Sequence, residues 1–370
     1  MKYLFILGRN PDLSIAEIKS VFGKSLKNFL ISKNAMILDL EEKIPRGILK
    51  NLGGTLAIGE VLTSGEISEM QKNLDKIEIC SQTKNNFNYV IWNFSNEEFY
   101  NGILNYLKER FRNEKFKPTR KNLTGRMEIQ SGESIEISGQ NVDEEYFIFS
   151  DKNENLFGKI IEKTDYAEIE KRDMQKPVRR EELAISPRLA KIMINLSQVM
   201  KGERLVDPFC GIGVILQEAL LQGIKVVGID KDEKAVEGAR QNLNWKKFSK
   251  ENFELINADS SKVKIKPSNA IVSEPDLGMI LRKMPNKKQV GEILTKYENL
   301  IISVINNLKK NISGKIVLTS PYMTTVEKKR TGCDVARILS KTGLKIAAGF
   351  PIEEFRKGQI VGRRILVLER

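Results

Sequence analysis

The residues best suited to chemistry in this sequence are carboxylates placed at the ends of short apolar runs. Asp207 closes R-L-V-D, Gly211 and Gly213 follow it, Asp230 closes K-V-V-G-I-D, and Asp259 stands in I-N-A-D-S. A strand, a glycine-rich turn, a helix and a second strand ending in an acid is the way a Rossmann-type sheet holds an adenosine cofactor. The third glycine of the dinucleotide fingerprint is missing, because Leu216 stands three residues after Gly213. A pyrophosphate cradle is therefore disfavoured, and Asp207, ahead of the glycines, would repel a pyrophosphate but attract an ammonium group. Asp230 can accept from both ribose hydroxyls and Asp259 from the adenine amine. Each aspartate alone could be an ordinary helix cap. As a set they suit S-adenosylmethionine, which carries an α-ammonium and a sulfonium. An NAD-type oxidoreductase is the competing class, opposed by Asp207, by the missing glycine and by the absence of histidine.

A second constellation follows at the end of a fourth apolar run, 270–273, where the chain reads Glu274-Pro275-Asp276-Leu277-Gly278. It puts two carboxylates around a proline at the end of the fourth strand, where the catalytic motif is expected. No histidine is present among the 370 residues, which removes His-based triads, His general bases and the common Cys/His zinc sites. No metal is expected.

The elements that must carry these groups are legible as an alternation. Strands are expected over 204–206, 226–229, 253–257, 270–273, 315–318, 346–350 and 363–368, with helices between most of them, notably over 234–243 and 287–308. Such βαβ alternation calls for a mostly parallel sheet covered on both faces. Ser186 with Pro187 starts a helix ahead of this region. The first half is mixed: strands over 2–7, 35–40, 56–62, 89–92, 134–138, 146–150 and 156–161, an amphipathic helix over 97–112, and a capping box at Ser14 and Glu17. The stretch 165–182 has little apolar periodicity and reads as a linker.

Charge divides the chain. Residues 1–170 hold 23 Lys and Arg against 26 Asp and Glu, whereas 171–370 hold 38 against 22, within a total of +13. A basic surface beside a cofactor site favours a polyanionic substrate. Lys115-Phe116-Lys117-Pro118-Thr119-Arg120-Lys121 reads as a phosphate-contacting loop or as a solvated turn. The clusters Lys328-Lys329-Arg330 and Arg282-Lys283 with Lys287-Lys288 have the same two readings. Three well-separated cysteines, Cys80, Cys210 and Cys333, give no disulfide framework and point to a reducing cytoplasmic setting. No apolar run approaches the ~20 residues of a membrane span, and 3–7 is too short for a signal peptide.

On these residues the second half resembles the amino-directed S-adenosylmethionine methyltransferases, which carry [D/N/S]-P-P-[Y/F] where this chain has 274–277. Ser186-Pro187-Arg188-Leu189-Ala190 through Asn195-Leu196, followed by Asp207-Pro208-Phe209-Cys210-Gly211-Ile212-Gly213, is similar to the THUMP-domain tRNA guanosine N2-methyltransferases. So is the opening 4–18, and so are Arg172-Asp173, Pro177 and Arg179-Arg180. The resemblance implies a Rossmann-like methyltransferase sheet over 186–370, preceded by a ferredoxin-like unit over 1–60, an α/β THUMP domain over 61–165 that grips the tRNA acceptor end, and a linker over 166–185. It implies that Ser186 and Phe209 join Asp207, Gly211, Gly213, Asp230 and Asp259 around the cofactor. It implies also that Glu274 and the Pro275 carbonyl accept from the target amine, with Asp276 and Leu277 beside the base.

The departure from that pattern is Glu274-Pro275-Asp276-Leu277 in place of D-P-P-Y. Glu274 carries one methylene more, a shift of roughly 1 Å, which can cost ~100-fold in rate. Leu277 lacks the aromatic face that stacks on a flipped base, worth ~1–3 kcal/mol, unless Phe209 or Tyr322 replaces it. Three readings remain open: a guanine N2-methyltransferase with a shifted pocket, a methyltransferase for another base amine, and a noncatalytic cofactor- and RNA-binding relative.

Overall fold

The computed structural model describes the chain except for residues 131–133, 138, 140, 153, 181–184, 277–280, 282 and 357. It divides into two compact units, Met1–Ile15 with Phe22–Lys50 and Gly54–Thr164, and Ala16–Val21 with Asn51–Gly53 and Asp165–Arg370.

The first unit is built on β1 (Lys2–Leu7), β2 (Leu26–Ser32), β3 (Ala35–Leu40), β4 (Thr55–Ser64), β5 (Asn88–Phe94), β6 (Thr119–Arg120), β7 (Gly125–Glu128), β8 (Ser134–Ile137), β9 (Glu144–Ser150) and β10 (Asn155–Lys163). Eight of these strands form one sheet in the order β2-β3-β1-β4-β10-β9-β5-β6, and β7 pairs with β8 apart from it. The expected boundary at residue 60 falls inside β4, so residues on either side of it share a sheet. Helices α2 (Ile67–Leu74) and α3 (Glu97–Asn113) accompany the strands, and α1 (Pro11–Phe22) starts in this unit while its Ala16–Val21 belong to the second. The apolar stripe of α3, with Phe99, Ile103, Leu107 and Phe111, packs with Tyr89, Tyr146 and Phe157 of the sheet.

The capping box expected at Ser14 is not the start of α1. Asn10 caps it, its side chain accepting from Leu13 N, and Pro11 takes the first position. The upstream Asn-Pro pair opens the helix first, because proline's fixed φ suits that position and its missing N–H costs nothing there. Ser14, now one turn inside, donates its hydroxyl to the carbonyls of Asn10 and Gly54, both at 2.8 Å.

The second unit begins with α4 (Tyr166–Met174), inside the stretch expected to be a linker. Its order comes from a cap and one buried ion pair rather than from an apolar stripe. Asp165 accepts from Glu168 N, and Arg172, 1% exposed, bonds Glu218 at 2.7 and 3.1 Å. Helix α5 (Pro187–Ser197) follows, capped by Ser186 as expected. Then come β11 (Arg204–Asp207), α6 (Val214–Leu221), β12 (Lys225–Asp230), α7 (Glu233–Trp245), β13 (Phe253–Asn257), β14 (Ala270–Ser273), α8 (Lys287–Leu308), β15 (Ile316–Thr324), β16 (Arg330–Gly332), α9 (Val335–Thr342), β17 (Lys345–Ile346), β18 (Ile352–Glu354) and β19 (Val361–Glu369).

The sheet order is β13-β12-β11-β14-β15-β19-β17. The first five strands run parallel and β19 is antiparallel to β15. Two expectations change here. The strand expected at 315–318 continues through Tyr322 to Thr324, because β16 and β19 supply backbone partners on either side of it. The strand expected at 346–350 ends at Ile346, where its pairing with β19 stops.

In the core of this unit, α8 contributes Val290, Leu294, Tyr297, Ile301, Val304, Ile305 and Leu308 against Val206, Ile271, Ile316 and Leu318 of the sheet. This fixes the carboxyl ends of β11, β12 and β14, where the site lies.

Candidate active site

A cavity of about 610 Å³ opens at those strand ends. Asp207, Phe209, Gly211, Asp230, Asp259, Glu274, Pro275 and Asp276 all line it. Gly213 and Ser186 do not: Gly213 caps α6 and Ser186 caps α5, so both act on the backbone next to the site. Leu277 lies outside the described residues.

The glycine turn is built for a close ligand. Gly211 has φ +49, and a Cβ placed on it would meet no atom within 4 Å. Gly213 has φ +85, a conformation that side chains other than glycine's rarely adopt. Asn242, which is buried, ties the turn to the approaching segment. Its amide donates to the carbonyls of Val178 and Ile212 at 3.1 and 3.0 Å and accepts from Val178 N at 3.0 Å. Nearby, Arg180 bonds Asp232 at 2.6 Å, and both line the cavity.

The three acids at the strand ends differ in state. Asp207 is 1% exposed. Its Oδ1 accepts from Phe209 N at 3.1 Å and from the Ser273 hydroxyl, while Oδ2 has no partner among the described residues. Burial pushes its carboxyl up to about 7, with the nearby charges of Asp230 and Glu274 adding to the rise. Asp230 accepts from Gly211 N and Asp232 N, each at 2.9 Å. It therefore braces the turn while retaining lone pairs for a ligand. Asp259 is exposed, and the Ser261 hydroxyl and N–H hold it below the usual carboxylate range.

An S-adenosylmethionine fits this donor set: an open cradle at Gly211, a carboxylate at the second strand end for a diol, an exposed one at the third, and a buried acid for a cation. Such a group supplies an electrophilic methyl on sulfur.

Glu274 also lines the cavity, its side chain 8% exposed. Arg363 of β19 donates through Nε to Glu274 Oε1, while Oε2 is buried with no partner among the described residues. Arg363 also lines the cavity, and it is the residue that sequence reasoning missed. Tyr322, expected as a stacking residue, is absent from the cavity wall. The Arg364 guanidinium covers its ring at 4.1 Å from the centroid. Phe209 is the aromatic that does line the cavity.

The two basic clusters of this unit are brought together. Val326 N bonds Pro285 O at 3.1 Å, so the turn bearing Lys328 and Lys329 adjoins the segment that carries Lys283 and leads into Lys287 and Lys288 at the start of α8. All five lysines are exposed. Arg282 lies outside the described residues. In the first unit, 115–121 is not a free turn: β6 pairs in parallel with β5 and Lys121 N bonds Tyr89 O at 2.8 Å. Lys115, Lys117 and Arg120 remain exposed on that sheet edge.

All three cysteines are free and buried, and burial raises the Cys210 thiol far from reactivity. No group of three metal-ligating side chains occurs among the described residues, and no helix among them is long and apolar enough to cross a membrane.

A parallel sheet with an antiparallel β19, acids at three successive strand ends and a proline-containing acidic motif at the next define a Rossmann-like methyltransferase domain. Residues 176–328 match the family described as UPF0020, the RMKL-like methyltransferase domain. Among curated proteins, the tRNA (guanine(10)-N2)-dimethyltransferase of Methanothermobacter thermautotrophicus is 37% identical over 146 residues, which cover 39% of this chain and 40% of that protein. The protein of the same name from Pyrococcus abyssi is 27% identical over 292 residues, covering 75% of this chain and 78% of its own. Among solved structures, TrmN from Thermus thermophilus matches along 100% of both chains with a TM-score of 0.55 and 13% identity, a likeness of fold.

Proposed function

We propose that this protein transfers a methyl group from S-adenosylmethionine to the exocyclic N2 of a guanosine in tRNA. The observation that carries the reading is that one cavity holds both the cofactor-type acids and Glu274, whose buried Oε2 lacks a partner. An N–H donor from a substrate amine would satisfy it. The names of the two curated relatives support guanine N2 as the amine and tRNA as its carrier.

In this reading, Asp207 binds the α-ammonium, Asp230 the ribose diol and Asp259 the adenine amine. Glu274 Oε2 and the Pro275 carbonyl accept the two N–H bonds of the target amine, which aims the nitrogen lone pair along the sulfur–methyl bond. A bound S-adenosylmethionine would supply the methyl to that nitrogen and leave as the neutral thioether S-adenosylhomocysteine. The proton the amine sheds passes to Glu274 Oε2, for which Arg363 balances the charge. Phe209 is the cavity aromatic placed to contact an extruded base.

Residues 1–165 serve as the tRNA-gripping part, its ferredoxin-like and THUMP portions sharing one sheet through β4, with Lys115, Lys117 and Arg120 as phosphate contacts at the acceptor end. The lysines of 283–288 and 328–329 hold further phosphates. The protein works in the cytoplasm, where its substrate is.

The test uses labelled S-adenosylmethionine and unmodified tRNA. Wild type incorporates label into tRNA, Glu274→Ala abolishes incorporation, and calorimetry finds S-adenosylhomocysteine affinity nearly unchanged in that variant. Transfer that survives in Glu274→Ala contradicts the assignment, and binding of NADH in place of S-adenosylhomocysteine contradicts the cofactor.

A further inference from the structure

Arg363 and Glu274 lie 89 positions apart and meet on the cavity wall. Arg363 sits on β19 opposite Pro321 of β15, with its side chain 22% exposed. Its Nε is committed to Glu274 Oε1, whereas its Nη atoms have no hydrogen-bond partner among the described residues. Glu274 Oε2 has none either. Both residues line the cavity, so a carboxylate that accepts and a guanidinium with N–H groups to donate stand side by side in its wall.

That order selects among the bases bearing an exocyclic amine. The Watson–Crick edge of guanine runs donor, donor, acceptor: the N2 amine, N1–H and O6. Adenine offers an amine beside an acceptor nitrogen, and cytosine an amine beside two acceptors. A carboxylate next to a guanidinium complements guanine, because the two oxygens can take N2–H and N1–H while a guanidinium N–H reaches O6. Against adenine or cytosine the carboxylate would face an acceptor, which leaves buried polar groups unpaired.

Resting on the reading of this cavity as an amine methyltransferase site, we propose that Arg363 determines its base specificity, fixing Glu274 through Oε1 and donating to the O6 keto oxygen of the guanine being methylated. The Glu274-for-aspartate change then has a counterpart. The longer acid reaches Arg363, and the two read the base together.

The experiment compares single-turnover transfer to RNA carrying, at the methylated position located by mass spectrometry, either guanine or 2-aminopurine. The analogue keeps the 2-amine and lacks O6 and N1–H. Wild type favours guanine. Arg363→Met is expected to slow transfer to both bases, because Glu274 loses its partner, but to slow guanine by about 10- to 100-fold more than 2-aminopurine, so the preference collapses. Equal slowing on both bases, or an unchanged ratio, overturns the proposal, because a merely structural arginine has no reason to sense O6.

Should S-adenosylhomocysteine calorimetry find Arg363→Met unable to bind, Arg363→Lys decides by the same ratio, since lysine keeps the charge but not the fork. If wild type labels no amine in any tRNA, the functional reading fails and the inference with it. That result is separate from label on guanine with an unchanged ratio, which sinks only the role of Arg363.

Discussion

Asp207 is the residue on which the electrostatics of the site turn. Its carboxyl, ordinarily at 3.8, is pushed to about 7 by burial, so near neutrality it is poised between neutral and charged forms until a cation arrives. Only the ionised form pairs with an ammonium, and affinity for S-adenosylhomocysteine should therefore fall as pH drops through about 7, approaching tenfold per unit below it. Calorimetry between pH 5.5 and 8.5 reads this directly, and a flat profile would remove Asp207 from the ammonium site. The sign for stability is opposite in pH. Between about 4 and 7 the folded chain holds a proton that the unfolded chain has released, so this contribution is full below 4 and is lost as pH rises through 7. Asp207→Asn should remove that slope from the melting temperature. Asp207, Asp230 and Asp259 were legible because each ends an apolar run. Arg363 was not, since no local pattern marks an arginine whose partner lies 89 residues away. A cation inside the otherwise apolar run R-R-I-L-V-L was the only trace.

At the scale of the element, α4 holds its place through Arg172. The guanidinium enters a buried position against Glu218, which is 0% exposed, with Glu168 one turn back on its own helix. Glu218→Ala would leave the buried Arg172 with only the half-exposed Glu168 as a partner and should cost ~3–5 kcal/mol in denaturant unfolding, whereas Arg172→Met with Glu218→Leu should cost far less. A small loss in the single variant would mean that α4 does not depend on this pair. The same helix explains what sequence periodicity missed, since a helix held by one ion pair and a cap has no apolar stripe to find. Strands buried on both faces were easier. β1, β3 and β14 occupy the expected residues because a dense apolar run bounded by turn residues has few other uses. At α1 two start signals competed, and the upstream Asn10-Pro11 pair won over Ser14 and Glu17.

For the whole molecule, the proposed function assigns the phosphates of the substrate to the basic excess of the second half and to the exposed lysines on the adjoining 283–288 and 325–329 segments. Binding of tRNA should therefore weaken steeply with salt, log affinity falling linearly with log salt concentration in filter-binding or anisotropy titrations; a flat response would assign these lysines to ordinary solvation. The measurement that bears most directly on the central claim is nucleoside mass spectrometry of an unmodified tRNA transcript after incubation with the protein and S-adenosylmethionine. The account predicts N2-methylated guanosine, singly or doubly substituted, and none with Glu274→Ala. A methyl group on another base, or tRNA that binds and emerges unmethylated, would contradict it.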